Sequence, residues 1–93
     1  MAKHEERYAT ARIIAAVEQD KHFARQLGEA IVMYSLRDWG DLCESDKALN
    51  DQALQIGGRI LAAYNTSLGR VYIITDDTTA VTLVTTVLFA DEY

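Results

Sequence analysis

Three runs rich in β-branched residues, separated by two polar turns, fill residues 57 to 93 and most constrain the fold of this chain. The runs are Arg59–Tyr64, Arg70–Thr75 and Val81–Phe89, and the turns between them read NTSLG and DDTTA. Short β-prone runs bounded by turn residues are typical of strands joined by hairpins. The sequence therefore predicts a three-stranded antiparallel meander.

The third run shows which way its side chains point, because successive residues of a strand face opposite sides of the sheet. One set consists of Val81, Leu83, Val87 and Phe89, and the other of Thr82, Val84, Thr86 and Leu88. The first set is more apolar than the second. This asymmetry predicts helices on one face of the sheet and solvent or a partner on the other.

A long helix is predicted from Asp20 to Leu36. Phe23, Leu27 and Tyr34 recur at helical spacing and give the segment one apolar stripe. Asp20 is the residue type that caps a helix N-terminus.

A second helix is predicted from about Asp46 to Ile56, with Ser45 as its N-cap. The predicted buried stripe comprises Leu49, Ala53 and Ile56. Gly57 and Gly58 follow where a left-handed C-cap ends a helix.

The N-terminal segment is open to two interpretations. Residues 1 to 7 are charged and are expected to fray. Tyr8–Val17 is rich in alanine, which favours a helix, but Ile13 and Ile14 also suit a short strand. We therefore predict one domain, residues 1 to 93, of the α+β class: a three-stranded antiparallel meander, or a four-stranded sheet with the N-terminal segment, with two helices packed on one face.

Charge and composition exclude several classes of function. The net charge of -5 and the scattered basic residues disfavour direct nucleic-acid binding. The charge suits a protein partner with a basic surface, although a role in keeping the chain soluble explains it better. The N-terminal text lacks a secretory signal and no run is long enough to span a membrane, so a cytoplasmic protein is expected. The single cysteine, Cys43, fits a reducing compartment.

No catalytic, cofactor or metal signature stands out. The acidic residues near the second predicted helix lack the ligand spacing of a calcium loop, and helix capping explains them better. They are Asp38, Asp41, Glu44, Asp46 and Asp51. Cys43 has no neighbouring histidine and is predicted to be a buried thiol. An exposed Trp39 would be the best contact anchor for a partner, but burial is the expected state in a small core.

The second half of the chain contains four distinctive segments in this order: DWGDLCESDKALNDQAL, GGRILAAY, VYIIT and TTVLFADEY. Together they resemble a family of small bacterial proteins of unknown function, often encoded on plasmids and other mobile elements. The likeness covers Arg37–Tyr93. The residues that match the family pattern are Trp39, Gly40, Asp41, Asp46, Asn50, Arg59 and Tyr64. The chain departs from the pattern after VYIIT, where it lacks an arginine in the turn, and at Ala90, which stands near the family's proline.

The resemblance also implies that residues 11 to 15 form a first strand ahead of the long helix. Its association with mobile elements implies a sharper function, inhibition or modulation of a host defence or toxin protein such as a CRISPR or restriction component. The leading hypothesis is accordingly a small acidic protein-protein interaction module without catalytic activity.

Two further hypotheses remain open at this stage. The first is a small-ligand-binding or catalytic module in which six residues line one pocket: Trp39, Asp41, Asp46, Asn50, Arg59 and Tyr64. The second is a homodimer formed through the open sheet face or an edge strand.

Overall fold

The computed structural model describes residues 4 to 93, which form four strands, three α-helices and a terminal 3-10 turn. In chain order the elements are β1 (His4–Ala9), α1 (Ala11–Gln19), α2 (Lys21–Ser35), α3 (Glu44–Ile56), β2 (Ile60–Thr66), β3 (Gly69–Thr75), β4 (Thr82–Phe89) and the 3-10 turn Ala90–Glu92. None of the helices within this range is both long and apolar enough to cross a lipid bilayer.

The sheet has the order β1-β4-β3-β2 and is mixed. The three predicted strands are present as an antiparallel meander, with Ala62 opposite Ile73 and Ile73 opposite Val87. The fourth strand, β1, runs parallel to β4 at the far edge. The α+β class is confirmed, but the sheet is not purely antiparallel and there are three helices instead of two.

The N-terminal segment is where the predicted boundaries were wrong. The strand implied for residues 11 to 15 is helix α1, which begins after Thr10, whose hydroxyl accepts a hydrogen bond from the Ile13 N–H. The strand lies earlier, over residues predicted to fray, of which residues 1 to 3 are outside the described range. Charged residues form β1 because it is an edge strand whose side chains are mostly exposed.

Helix α2 and the sheet form the core as predicted. Asp20 caps α2 by accepting a hydrogen bond from the Phe23 N–H at 3.0 Å. Phe23 is fully buried and stacks on Phe89 with ring centroids 5.6 Å apart. The strand alternation is also correct in β4, where Val87 and Phe89 are buried beneath the helices, although Val81 precedes the strand and is exposed.

Helix α3 is rotated relative to the prediction. It begins after Cys43, which makes no side-chain cap, so Ser45 is not its N-cap. Leu49 is 60% exposed and Ile56 is 71% exposed. The buried residues of the helix are Asn50 and Ala53. Ala53 is buried as predicted, but the helix presents Asn50, and not Leu49, to the strand beside it.

Candidate functional site

The first group of predicted site residues lies along the outer edge of β2. The segment that contains Gly40 runs parallel to this strand, so that Ala63 donates its N–H to the Trp39 carbonyl at 3.1 Å and accepts from the Asp41 N–H at 2.8 Å. Gly40 has φ +78°, and an added Cβ would collide with the Ala63 carbonyl oxygen. Only glycine fits this close approach of two backbones.

Asn50 continues the same edge from helix α3. Its Nδ2 donates to the Leu61 carbonyl at 2.9 Å, and its Oδ1 accepts from the Leu61 N–H at 3.3 Å. The amide thus satisfies both backbone groups that a neighbouring strand would otherwise bond. The side chain is buried, so this pairing is shielded from water.

Trp39 and Tyr64 anchor this segment by their polar atoms. The Trp39 Nε1–H donates to Asp51 Oδ1 at 2.9 Å, and the Tyr64 hydroxyl donates to the Asp38 carbonyl at 2.7 Å. Trp39 is only 4% exposed, which confirms the expected burial and removes it as a surface anchor. Burial raises the pKa of Tyr64 well above its ordinary value, and the nearby Asp38 carboxylate adds to the rise.

Asp41 pairs with the end of the first hairpin. Its carboxylate accepts a hydrogen bond from Asn65 at 3.0 Å and forms an ion pair with Arg70 at 2.8 Å. The Asn65 hydrogen bond and the Arg70 guanidinium together lower the pKa of Asp41. The interaction of Asp41 with the hairpin is therefore electrostatic, and water screens it because the Asp41 side chain is exposed.

The last two predicted residues lie elsewhere. Arg59 is exposed, and its guanidinium lies 5.2 Å from the centre of the Tyr93 ring. Asp46 is exposed in the first turn of α3. Of the six predicted site residues, Trp39 is the one that lines the cavity between α2 and the sheet.

That cavity, of about 360 Å³, lies between the sheet and the C-terminal part of α2. Its walls are apolar and come from every layer of the fold: Ile31, Trp39, Leu54, Ile60, Leu83 and Val87. A cavity of these dimensions and lining is typical of small-molecule sites.

A chain of hydroxyl groups crosses the floor of the cavity. Thr75 Oγ1 lies 2.5 Å from the Tyr34 hydroxyl and 2.8 Å from Thr85 Oγ1. Desolvation raises the pKa of Tyr34 and Glu5 raises it further, although the hydrogen bond with Thr75 opposes the rise. The floor is therefore polar but uncharged at neutral pH.

Charged residues surround the mouth. Arg7 and Glu5 are both on β1, and their exposed side chains form an ion pair at 2.8 Å. Arg37 follows helix α2 and also lines the cavity. Its guanidinium makes neither a hydrogen bond nor an ion pair with any residue between His4 and Tyr93.

The sequence carried a weak signal for this cavity. Thr75 and Thr85 stand at positions of β3 and β4 that face the core, where apolar residues are expected. Glu5 and Arg7 alternate in a segment that was predicted to fray. Recognising β1 as a strand would have placed both charges on the helix side of the sheet.

The remaining chemical candidates offer less. Cys43 is exposed, contrary to the prediction, and its Sγ lies 3.2 Å from Ser45 Oγ. Within the described part of the chain, His, Cys, Asp and Glu residues form no group of three or more that could hold a metal ion. In comparisons with known proteins, the chain matches no family model, no curated protein and no solved structure.

Proposed function

We propose that this chain is a non-catalytic binding protein whose small, largely apolar ligand occupies the cavity between α2 and the sheet. The observation that carries the proposal is the combination of apolar walls with a floor of bonded hydroxyls in a space of about 360 Å³. Apolar walls supply affinity by removing ligand surface from water, and a few polar groups orient the ligand.

The lining favours binding over catalysis. The described residues around the cavity include neither His, Cys nor Lys, the side chains that most often act as bases and nucleophiles near neutral pH. The floor hydroxyls of Tyr34, Thr75 and Thr85 bond to one another. Glu5, the candidate general base in the lining, is engaged in an ion pair with Arg7. Activation of a hydroxyl nucleophile requires such a base.

The chain contains a built-in reporter for this proposal. Trp39 is the only tryptophan and it lines the cavity. Titration with a neutral apolar probe, 1-octanol, is expected to change the Trp39 emission in a saturable way, and ligand-observed NMR provides an independent measurement. Failure of both measurements to detect binding of this probe would contradict the proposal.

A matched pair of variants distinguishes the cavity from the surface. Ile31→Phe places a larger side chain in the cavity and is expected to abolish octanol binding. Val32→Phe, at the next position of the same helix, is 56% exposed in the wild type and is expected to leave binding unchanged. Circular dichroism and urea unfolding establish that both variants are folded.

A second candidate function is the protein-protein interaction module, which the outer face of α3 favours. Leu49 and Ile56 lie seven residues apart, hence on one face of the helix, and both are largely exposed. Exposed Glu44 and Asp46 lie in the first turn of the same helix. Apolar side chains beside acidic ones suit a partner with a basic surface, and the family resemblance makes a host defence or toxin protein the first class to test.

The interaction candidate has its own variants. In a pull-down, a stoichiometric partner is expected to be lost with the double variant Leu49→Ser, Ile56→Ser and retained with Leu68→Ser, which changes an exposed leucine in the hairpin turn. Binding to a basic surface is also expected to weaken with salt. Retention of the partner by the double variant would exclude the α3 face. Sedimentation of the purified chain tests the homodimer hypothesis.

A further inference from the structure

The mouth of the cavity is locally cationic in a protein whose net charge is -5. Two arginines and one glutamate line it, and the ion pair between Arg7 and Glu5 balances one of the positive charges. Arg37 remains as a cation without a counter-ion among residues 4 to 93. An arginine at the rim of an apolar cavity is suited to bind the anionic end of a ligand.

Arg37 also occupies a backbone position that arginine does not favour. Helix α2 ends in a Schellman motif, in which the Arg37 N–H donates to the Tyr34 carbonyl and the Asp38 N–H to the Met33 carbonyl. This geometry gives Arg37 a φ of +64°. Glycine usually fills this position because a Cβ is strained there. Glycine is therefore expected to be more stable than arginine at this position.

We propose that the cavity binds an apolar monocarboxylate, with the carboxylate held at the rim by Arg37 and the apolar chain or ring directed toward Trp39. The planar guanidinium can donate two parallel hydrogen bonds to a carboxylate. The neighbouring pair of Arg7 and Glu5 sets a limit on the charge, since a second anionic group would meet the Glu5 carboxylate. This inference rests on the proposed binding function of the cavity.

Comparison of octanoate with 1-octanol separates the two proposals, since the two compounds share their chain length and differ in the anionic group. Octanoate is expected to bind about tenfold more tightly at low salt, and high salt is expected to remove most of that advantage. Binding of neither compound would overturn both proposals. Equal binding would overturn the carboxylate inference and leave the apolar binding function in place.

A second ligand tests whether the bound carboxylic acid is aliphatic or aromatic. In 4-phenylbutanoate an aromatic ring replaces most of the alkyl chain of octanoate. A preference for octanoate over 4-phenylbutanoate would indicate an aliphatic acid, and the reverse preference an aromatic acid. Octyl phosphate, with its larger and more highly charged head group, is expected to bind more weakly than octanoate, and tighter binding of octyl phosphate would overturn the choice of carboxylate.

Arg37→Gly gives opposite changes in stability and binding. Removal of the backbone strain is expected to raise the equilibrium constant for folding about two- to fivefold, after allowance for the greater freedom of glycine in the unfolded chain. Octanoate affinity is expected to fall about tenfold while octanol affinity is unchanged. A purely structural role for Arg37 would leave octanoate affinity intact, and that result would overturn the assignment.

Two control variants complete the experiment. Arg37→Lys keeps a positive charge but loses the planar fork, so it is expected to retain part of the preference for octanoate. Arg25→Gln removes a positive charge from an exposed position of α2 that does not line the cavity between α2 and the sheet. It is expected to leave octanoate affinity unchanged. An equal loss in Arg25→Gln and Arg37→Gly would mean that net charge, and not the rim, determines binding, which would contradict the inference.

Discussion

The two edges of the sheet differ in how they avoid unpaired backbone groups. At the outer edge of β2, the segment around Gly40 and the Asn50 amide bond the backbone of Ala63 and Leu61. At the opposite edge, none of the described segments covers β1 in this way, and the strand carries exposed charges instead. Charged side chains on an edge strand discourage pairing with another chain without bonding to the edge.

This difference shows which parts of the fold require particular residue types. A tight backbone approach and an amide that replaces a strand tolerate few residue types, so the edge of β2 needs Gly40 and Asn50 in particular. The cavity near β1 is built from ordinary aliphatic, hydroxyl and charged residues. Apart from Trp39, which also lines the cavity, the most conspicuous residues of the chain therefore serve the fold, and the proposed function uses less conspicuous ones.

The largest expected effect comes from removing the Asn50 amide. Asn50→Leu leaves the Leu61 N–H and carbonyl without their partner beneath α3 and is expected to destabilise the chain by about 2–4 kcal/mol. Urea unfolding measures the change. Gln52→Leu, at an exposed position of the same helix, is the control and is expected to stay within about 0.5 kcal/mol of wild type. Equal stability of the two variants would show that the edge needs no amide.

Two glycine-to-alanine substitutions, with expected stability changes of opposite sign, test the close approach of the two backbones at Gly40. Gly40→Ala is expected to destabilise by about 2–3 kcal/mol, because the new Cβ is strained and meets the Ala63 carbonyl oxygen. Gly28 lies in helix α2 with open space at its Cβ position, so Gly28→Ala is expected to stabilise by about 0.5–1 kcal/mol. Thermal unfolding of both variants gives the comparison, and the same sign in both would contradict it.

The parts of the fold that were predictable have strong local patterns. The three strands of the meander, the long helix with Asp20 as its cap, and the helix end at Gly57 follow from side-chain periodicity and capping chemistry. The strand β1 was missed because its pairing with β4 is long-range and its side chains remain mostly exposed. A charged edge strand has almost no pattern that distinguishes it from a frayed end.

The site was harder to predict because proximity depends on topology. Glu5 and Arg37 line one cavity although they are far apart in the chain, and only the parallel pairing of β1 with β4 places them together. The orientation of α3 about its axis, which differs from the predicted one, likewise exposes Leu49 and buries Asn50. A stripe of apolar residues indicates a helix, but the neighbouring strand decides which face is buried.

On the cavity side, a smaller effect is expected from the hydroxyl chain. Thr85→Val removes one hydroxyl that bonds to Thr75, while Tyr34 remains within bonding distance of Thr75. The expected loss is about 1 kcal/mol, measured by urea unfolding. Thr86→Val changes the opposite, half-buried face of the same strand and is the matched control. A loss as large as that of Asn50→Leu would mean that the cavity side of the sheet depends on polar contacts as much as the β2 edge does.

The smallest expected effect is the pH dependence of Asp41. Because its pKa is lowered in the folded state, the folded chain favours the carboxylate. The stabilisation is therefore present above the ordinary pKa of 3.8 and is lost as the pH falls through the lower folded value. A double-mutant cycle with Asp41→Asn and Arg70→Gln, measured by urea unfolding at about pH 6 and about pH 2, isolates this term. The coupling is expected to be small at the higher pH, to weaken in high salt and to vanish in acid, since Asp41 is largely exposed and Arg70 is partly exposed. A coupling that persists in acid would show that backbone contacts, and not charge, hold the loop to the hairpin.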